Sequence, residues 1–453
     1  MAGGGVFFQG LVSRPGVSIS VSFILAIFIG AGFLSLPQAT VDRRELPFID
    51  ALFIATSATC VTGLTVCDPE YLSRYGQTVV LFLIQAGGLG IMTWATLFRV
   101  ALRRRLTITQ QSVVVEFLGV EHRGAIRRLL LFMVAFTFAV EAIGFFVMLS
   151  FFLRTSQGTG EALFNAAFHA VSAFCNAGFS TFNDNLHAFR GSVLITVTIT
   201  SLVILGGLGV PIIYNLWQVF LSLFREEGAA KRVSLHTKLS LIASVVLIGL
   251  GFGLFYLFER GHSLNGLPWQ EQVMASYFHA VVPRTAGFST VDIATVSGPG
   301  LMLLMFLMFV GGSPGSTAGG IKTTTLAVLM TALGAFCRGK EEVECFGRTI
   351  AREVIAKSVV VAVWGILVVL IAALILLSIE PFSFEDTVFE VFSAFDTVGL
   401  SRGITPHLSL AGKLVIMTTM FIGRIGPLTL ALMVGKETVA PGIRYPEEHV
   451  AVG

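Results

Sequence analysis

The chain has 453 residues, of which 54% are hydrophobic and 13% charged, with a formal net charge of +3 and a mean hydropathy of +0.83. Soluble globular proteins carry roughly 25% charged residues, so the composition excludes that class and points to a polytopic protein of the lipid bilayer. The near-neutral balance gives no basic surplus for nucleic acid, and the five cysteines lack the spacing of a disulfide framework or a zinc site.

Eight apolar runs are long enough to span a membrane, near 17–37, 76–98, 129–153, 192–224, 239–258, 299–337, 358–379 and 414–434. The first is 21 residues without a charge and lacks a small-residue cleavage site, which predicts a retained helix rather than a signal peptide. Between the members of each pair lies a shorter apolar segment: Phe48–Cys60, Ala162–Cys175, Glu271–Pro283 and Glu385–Asp396. These are too short to cross and too apolar for a surface loop, so each is predicted to be a re-entrant half-helix.

Each half-helix runs into a version of one motif, small-Gly-bulky-hydroxyl. The four copies are Val61-Thr62-Gly63-Leu64-Thr65, Asn176-Ala177-Gly178-Phe179-Ser180, Thr285-Ala286-Gly287-Phe288-Ser289 and Thr397-Val398-Gly399-Leu400-Ser401. Their glycines are 115, 109 and 112 residues apart, close to a quarter of the chain. Such a period marks internal repetition. Phe53, Phe168 and Phe389 stand ten residues before the glycine, and Ser57, Ser172 and Ser393 six before it; the third copy is one residue shorter. The predicted fold is therefore an all-α polytopic membrane protein with four tandem helix–pore helix–filter loop–helix repeats around a pseudo-fourfold central pore. The repeats span 17–101, 127–225, 238–338 and 356–435.

Charge sets the expected orientation. The connections 99–128, 225–238 and 338–357 hold seven, four and five Lys/Arg, and with the termini that side holds 19 against 8 on the other. The positive-inside rule then puts both termini in the cytoplasm of a plasma-membrane protein, with all four repeats pointing the same way. Three basic residues, Arg284, Lys322 and Arg424, fall at membrane depth. The connection 99–128 is expected to bind anionic lipid head groups or to dock a cytoplasmic partner.

Non-helical backbone inside a bilayer needs protein or water around it, so four such loops on one axis would line a narrow wet passage. Inward carbonyls can replace a cation's hydration shell. Glycine permits the backbone conformations that this needs, and each half-helix brings its negative dipole end to the same point. The candidate ion-binding residues are Val61, Thr62, Gly63, Asn176, Ala177, Gly178, Thr285, Ala286, Gly287, Thr397, Val398 and Gly399. The third repeat adds Gly311-Gly312-Ser313-Pro314-Gly315-Ser316-Thr317-Ala318-Gly319-Gly320, which cannot continue a helix. It is expected to be a plug beneath the loops, with a static kink as the other reading. Arg424 lies 25 residues after its loop glycine, level with that break. A charge at mid-span costs about 2.5–3.5 kcal/mol to insert, so Arg424 is expected to be a barrier or gate latch, or else to be tied to carbonyls or to Glu141. Glu141 itself is expected to bond helix to helix, and His169 and His279 to pack or make local hydrogen bonds rather than bind metal.

With these motifs, the chain resembles the Trk/Ktr/HKT superfamily of potassium transporters over about residues 17–435, and most closely the Ktr-type membrane subunit, which lacks the extra N-terminal helices of the Trk type. The resemblance implies a single-chain pseudo-fourfold channel in which Gly63, Gly178, Gly287 and Gly399 are filter glycines. Residues 311–320 become the intramembrane gating loop and Arg424 the inner-helix arginine beside it. It further implies potassium as the transported ion, with sodium as a second ion or helper and no organic cofactor. A homodimer and a cytosolic ring of nucleotide-binding regulatory subunits are the implied partners. Within the family a serine at the first filter glycine goes with sodium preference, so Gly63 favours potassium. Asp396, where a small residue is the pattern, is the one departure. The function expected is potassium uptake, not an enzymatic activity, since no nucleophile–base or metal spacing is found. An alternating-access carrier for another solute is the rival.

Overall fold

A computed structural model describes residues 15–90, 126–156, 158–224 and 232–426. Fourteen helices occur among them. In chain order these are α1 (Pro15–Leu34), α2 (Phe48–Cys60), α3 (Arg74–Leu89), α4 (Ile126–Thr155), α5 (Thr159–Phe174), α6 (Val193–Leu208) and α7 (Val210–Ser222). There follow α8 (Leu235–Glu259), α9 (Trp269–Val281), α10 (Gly298–Phe309), α11 (Thr323–Cys337), α12 (Arg352–Ile379), α13 (Phe384–Phe395) and α14 (Leu410–Ile425). One short antiparallel ribbon, Glu344–Cys345 with Arg348–Thr349, departs from the all-helical expectation.

The short helices α2, α5, α9 and α13 fall on the four predicted half-helices, α2 with the same ends. The helices α4, α8 and α12 are long and apolar enough to cross a membrane. Their outward faces leave large apolar side chains uncovered, among them Phe146, Val245, Leu250 and Ile366. Apolar area of that extent is stable against lipid, not water.

The expected spans 76–98, 192–224, 299–337 and 414–434 are not continuous helices. Three of them stop at a glycine of similar backbone conformation: Gly90 (φ 82°, ψ 122°), Gly209 (φ 84°, ψ 143°) and Gly426 (φ 93°, ψ 142°). Left-handed φ ends an α-helix, and glycine adopts it at no steric cost. After Gly209 the chain turns by 94° into α7. The third span breaks instead at Val310 and resumes only at Thr323. Each of these four inner helices starts alike, with Ser73, Ser192, Ser297 or Ser409 accepting a backbone N–H three residues on.

The inner helix of each quarter packs on the half-helix of the next: α3 on α5, α6 on α9, α10 on α13, and α14 back on α2. Polar contacts at the loop-bearing side join the same neighbours. Arg74 lies over the Phe164 ring at 4.5 Å, Arg190 pairs with Glu271 at 3.1 Å, and Lys413 pairs with Asp50 at 2.5 Å. The basic connection expected at 99–128 falls almost wholly outside the described residues, as does the chain beyond 426.

Candidate functional site

Each half-helix ends in the same way. The residue two before the glycine takes a left-handed φ although it is not glycine: Val61 (60°), Asn176 (59°), Thr285 (76°) and Thr397 (50°). For β-branched Val and Thr this conformation is strained, and strain of this kind persists only where its surroundings enforce it. Here the enforcement is visible. The amides of Thr62, Ala177 and Val398 donate back to the carbonyls of Ser57, Ser172 and Ser393. The Ser57 and Ser393 hydroxyls accept from the amides of Gly63 (3.1 Å) and Gly399 (3.0 Å). The glycines themselves follow at φ 101°, 69°, 65° and 95°.

The four glycines are wedged against one another. A Cβ on Gly63 would lie 2.6 Å from the Ala177 carbonyl oxygen, and one on Gly178 2.9 Å from that of Ala286. A Cβ on Gly287 would strike the carbonyl oxygen of Val398, and one on Gly399 that of Thr62. Each loop thus presses the carbonyl ahead of its glycine into the space another glycine leaves empty, and the sequence of contacts returns to its start. All twelve sequence-predicted ion-binding residues are in these four turns, and ten of them are buried, Gly63 and Gly399 being the half-buried exceptions.

From the glycines onward the loops open into a vestibule of about 280 Å³. Gly63, Gly178, Gly287 and Gly399 line it, as do Thr65, Ser180, Ser289 and Ser401 two positions later. Cys67 lies in the same wall, and burial, reinforced by Asp50 and Asp68, pushes its thiol up to about 12.

On the other side of the turns lies the segment 311–320. A Cβ on Gly319 would strike the Thr397 hydroxyl, one on Gly320 the Asp396 carboxylate, and one on Gly311 would lie 3.2 Å from the Thr285 methyl. The turns therefore stand between this segment and the vestibule. The segment borrows the groups freed by the break in α6: Ser313 N–H donates to Gly207 O (2.9 Å), and Val210 N–H to Gly315 O (3.1 Å).

All three basic residues at membrane depth end on this segment. Arg424 donates from Nη1 to Thr317 O and from Nη2 to Gly87 O, the latter at 2.6 Å. Lys322 Nζ donates to Ala318 O (2.7 Å) and Gly319 O (3.3 Å). Arg284 Nη2 reaches Ser244 (3.1 Å) and Gly311 O (3.4 Å). The carboxylate of the fully buried Asp396 has Lys322 as its electrostatic neighbour and the Ile321 backbone amide beside it. Arg424 is thus tied to carbonyls rather than to Glu141. Glu141 accepts from Gln85 Nε2 (3.3 Å), joining α3 to α4 as expected.

The inner-helix glycines Gly87, Gly206 and Gly423 share one task. A Cβ on each would strike a carbonyl in the last turn of a half-helix or just beyond it: Thr59, Phe174 or Phe395. Gly206 lies 28 residues after its loop glycine and the others 24, so sequence offset alone hides their equivalence. His169 and His279 make hydrogen bonds to their own helices and loops, in keeping with the local role expected of them.

The chain is similar to known cation transport proteins over almost its whole length. The sequence profile of the TrkH family, described as cation transport protein, matches residues 16–439. The potassium/sodium uptake protein NtpJ of Enterococcus hirae is 37% identical, covering 96% of each chain. The Ktr system potassium uptake protein B of Bacillus subtilis is 39% identical, covering 97% of each. The crystal structure of the potassium transporter TrkH from Vibrio parahaemolyticus superposes with a TM-score of 0.69 at 19% identity, over 93% of this chain and 85% of that one.

Proposed function

The chain belongs to the TrkH family of cation transport proteins, and on that footing we propose that it takes up potassium, with sodium as a second permeant ion, through a channel-like filter. The filter is the meeting of the four turns around a pseudo-fourfold axis, with one glycine and its two preceding residues from each quarter of the chain. The observation that carries this reading is the closed sequence of contacts in which each glycine makes room for a neighbouring carbonyl. Carbonyl oxygens brought together at the negative ends of α2, α5, α9 and α13 suit a cation that sheds part of its water.

Residues 311–320 are the gate in this reading, with Arg424 as its latch. The segment lies directly under the filter, and long cationic side chains hold it through backbone oxygens. Two further parts rest on the resemblance: a homodimer, and a cytosolic nucleotide-binding ring that works the gate. The Bacillus subtilis relative is named as part of a Ktr system, which suits a membrane subunit that acts with others.

The test is rubidium uptake into vesicles holding the purified protein, with and without competing sodium. Gly63→Ser is expected to lower rubidium uptake relative to sodium. An unchanged ratio would overturn the filter assignment.

A further inference from the structure

The positions after Phe53, Phe168, Phe278 and Phe389 on the four half-helices are Ile54, His169, His279 and Glu390, and each is fully buried. Three of the four can hydrogen-bond, and all three bond the hydroxyl two residues past their own loop glycine. The Asn165 carbonyl can only accept, so Nδ1 of His169 donates to it (2.7 Å), leaving Nε2 of a neutral ring to accept from Ser180 Oγ–H at 3.1 Å. His279 places Nδ1 2.9 Å from Ala275 O and Nε2 3.3 Å from Ser289 Oγ, but the Ser289 hydroxyl donates to the Val291 carbonyl, so this is the weakest contact of the three. Glu390 does the same with different chemistry, accepting from Ser401 Oγ–H at 2.7 Å and from the Thr405 hydroxyl. In the first quarter Ile54 faces the same task with a side chain that neither donates nor accepts.

We infer that His169, His279 and Glu390 are positioning residues for ion selectivity, each a prop that fixes the vestibule end of its filter loop to its own half-helix. The inference rests on the filter reading above. The glycine end of each loop is already locked by its neighbours, so the prop acts on the limb just beyond it, where the hydroxyl residues line the vestibule. Held limbs keep the ring of oxygens at the spacing of a larger, more weakly hydrated ion. A freed limb lets the ring close on a smaller one and lowers discrimination. Glu390 carries the largest share, because a carboxylate accepting two hydroxyls is bound more strongly than an imidazole accepting one. The first loop has the apolar Ile54 in place of such a prop, which makes the four loops unequal around the axis.

The test measures rubidium uptake against competing sodium in vesicles, with wild-type protein and Gly63→Ser in parallel. Glu390→Leu is expected to cut the rubidium-over-sodium preference at least about fivefold, the size of a single lost hydrogen bond, since it removes both that Glu390 accepts. Glu390→Gln keeps an acceptor and is expected to restore most of the preference. His169→Leu is expected to fall between, His279→Leu to lie closer to wild type, and Ile54→Leu to match wild type. Ser401→Ala removes the bond from the loop side with little risk to folding and is expected to act in the same direction as Glu390→Leu. A wild-type ratio in both Glu390→Leu and Ser401→Ala, with Gly63→Ser shifted, overturns the prop and leaves the filter standing. Glu390→Gln falling as far as Glu390→Leu also overturns it, by assigning the effect to charge. If Gly63→Ser shifts nothing, the filter reading beneath the inference fails.

Discussion

Two glycine-rich regions face each other across a few ångströms, and their glycines serve different ends. In the filter turns each glycine is wedged against another turn's backbone, and the neighbouring hydrogen bonds run within the same turn. The segment 311–320 is pinned at its two ends by its own backbone bonds, Gly311 N–H to Ile321 O and Thr323 N–H to Gly312 O, while its middle is held by a broken helix end and by the cations Arg424, Lys322 and Arg284. A region tied by its own short bonds can move only by unfolding. One tied by long side chains can be released by moving the side chains. That contrast is what the proposal of a fixed filter and a movable gate requires.

The hardest blow to the fixed side is Gly399→Ala. The new Cβ would strike the Thr62 carbonyl at a φ of 95°, which methyl-bearing residues rarely adopt. Rubidium uptake is expected to fall at least about tenfold while the protein stays monodisperse, since strain of ~1–3 kcal/mol per residue sits at the ion's path. Near-normal uptake would show the turns to be as adaptable as the gate.

Next in size is Arg424→Ala. It removes charged hydrogen bonds to Thr317 O and Gly87 O, worth ~1.5–3 kcal/mol each. Uptake is expected to rise several-fold; an unchanged rate would mark the segment as a static kink. Lys322→Met keeps the stem and loses the contacts to Ala318 and Gly319. A smaller rise is expected, because Arg284 and Arg424 still hold both ends of the segment.

Much of this was legible in one dimension. The half-helix Phe48–Cys60 was delimited by its apolar length and the motif that follows, and the position of Arg424 level with the break follows from counting. The register of Phe53, Phe168 and Phe389 also fixed the residues that follow them, although only the structure joins Glu390 to Ser401. Other features were hidden for physical reasons. A glycine inside an apolar run is tolerated by a membrane helix, so apolar length alone hides the stops at Gly90, Gly209 and Gly426, although Pro211 and Pro427 follow two of them closely. The convergence of Arg284, Lys322 and Arg424 on one segment joins residues up to 107 positions apart, beyond any local pattern.

The smallest effect concerns the vestibule. With the exposed Cys337 and the half-buried Cys345 replaced by Ser, a methanethiosulfonate reagent should label Cys67 slowly near neutral pH. A thiol pushed up to about 12 is almost wholly protonated there, so labelling is expected to quicken about tenfold per pH unit up to pH 10 without levelling off. A plateau near pH 8–9 would place Cys67 in open solvent rather than in the vestibule wall.

The central claim is that a cation rests where the four turns meet. Anomalous diffraction from crystals grown in rubidium tests it most directly. The account predicts rubidium peaks ringed by Gly63, Gly178, Gly287 and Gly399; strong peaks elsewhere in the protein, with none between those glycines, would contradict it.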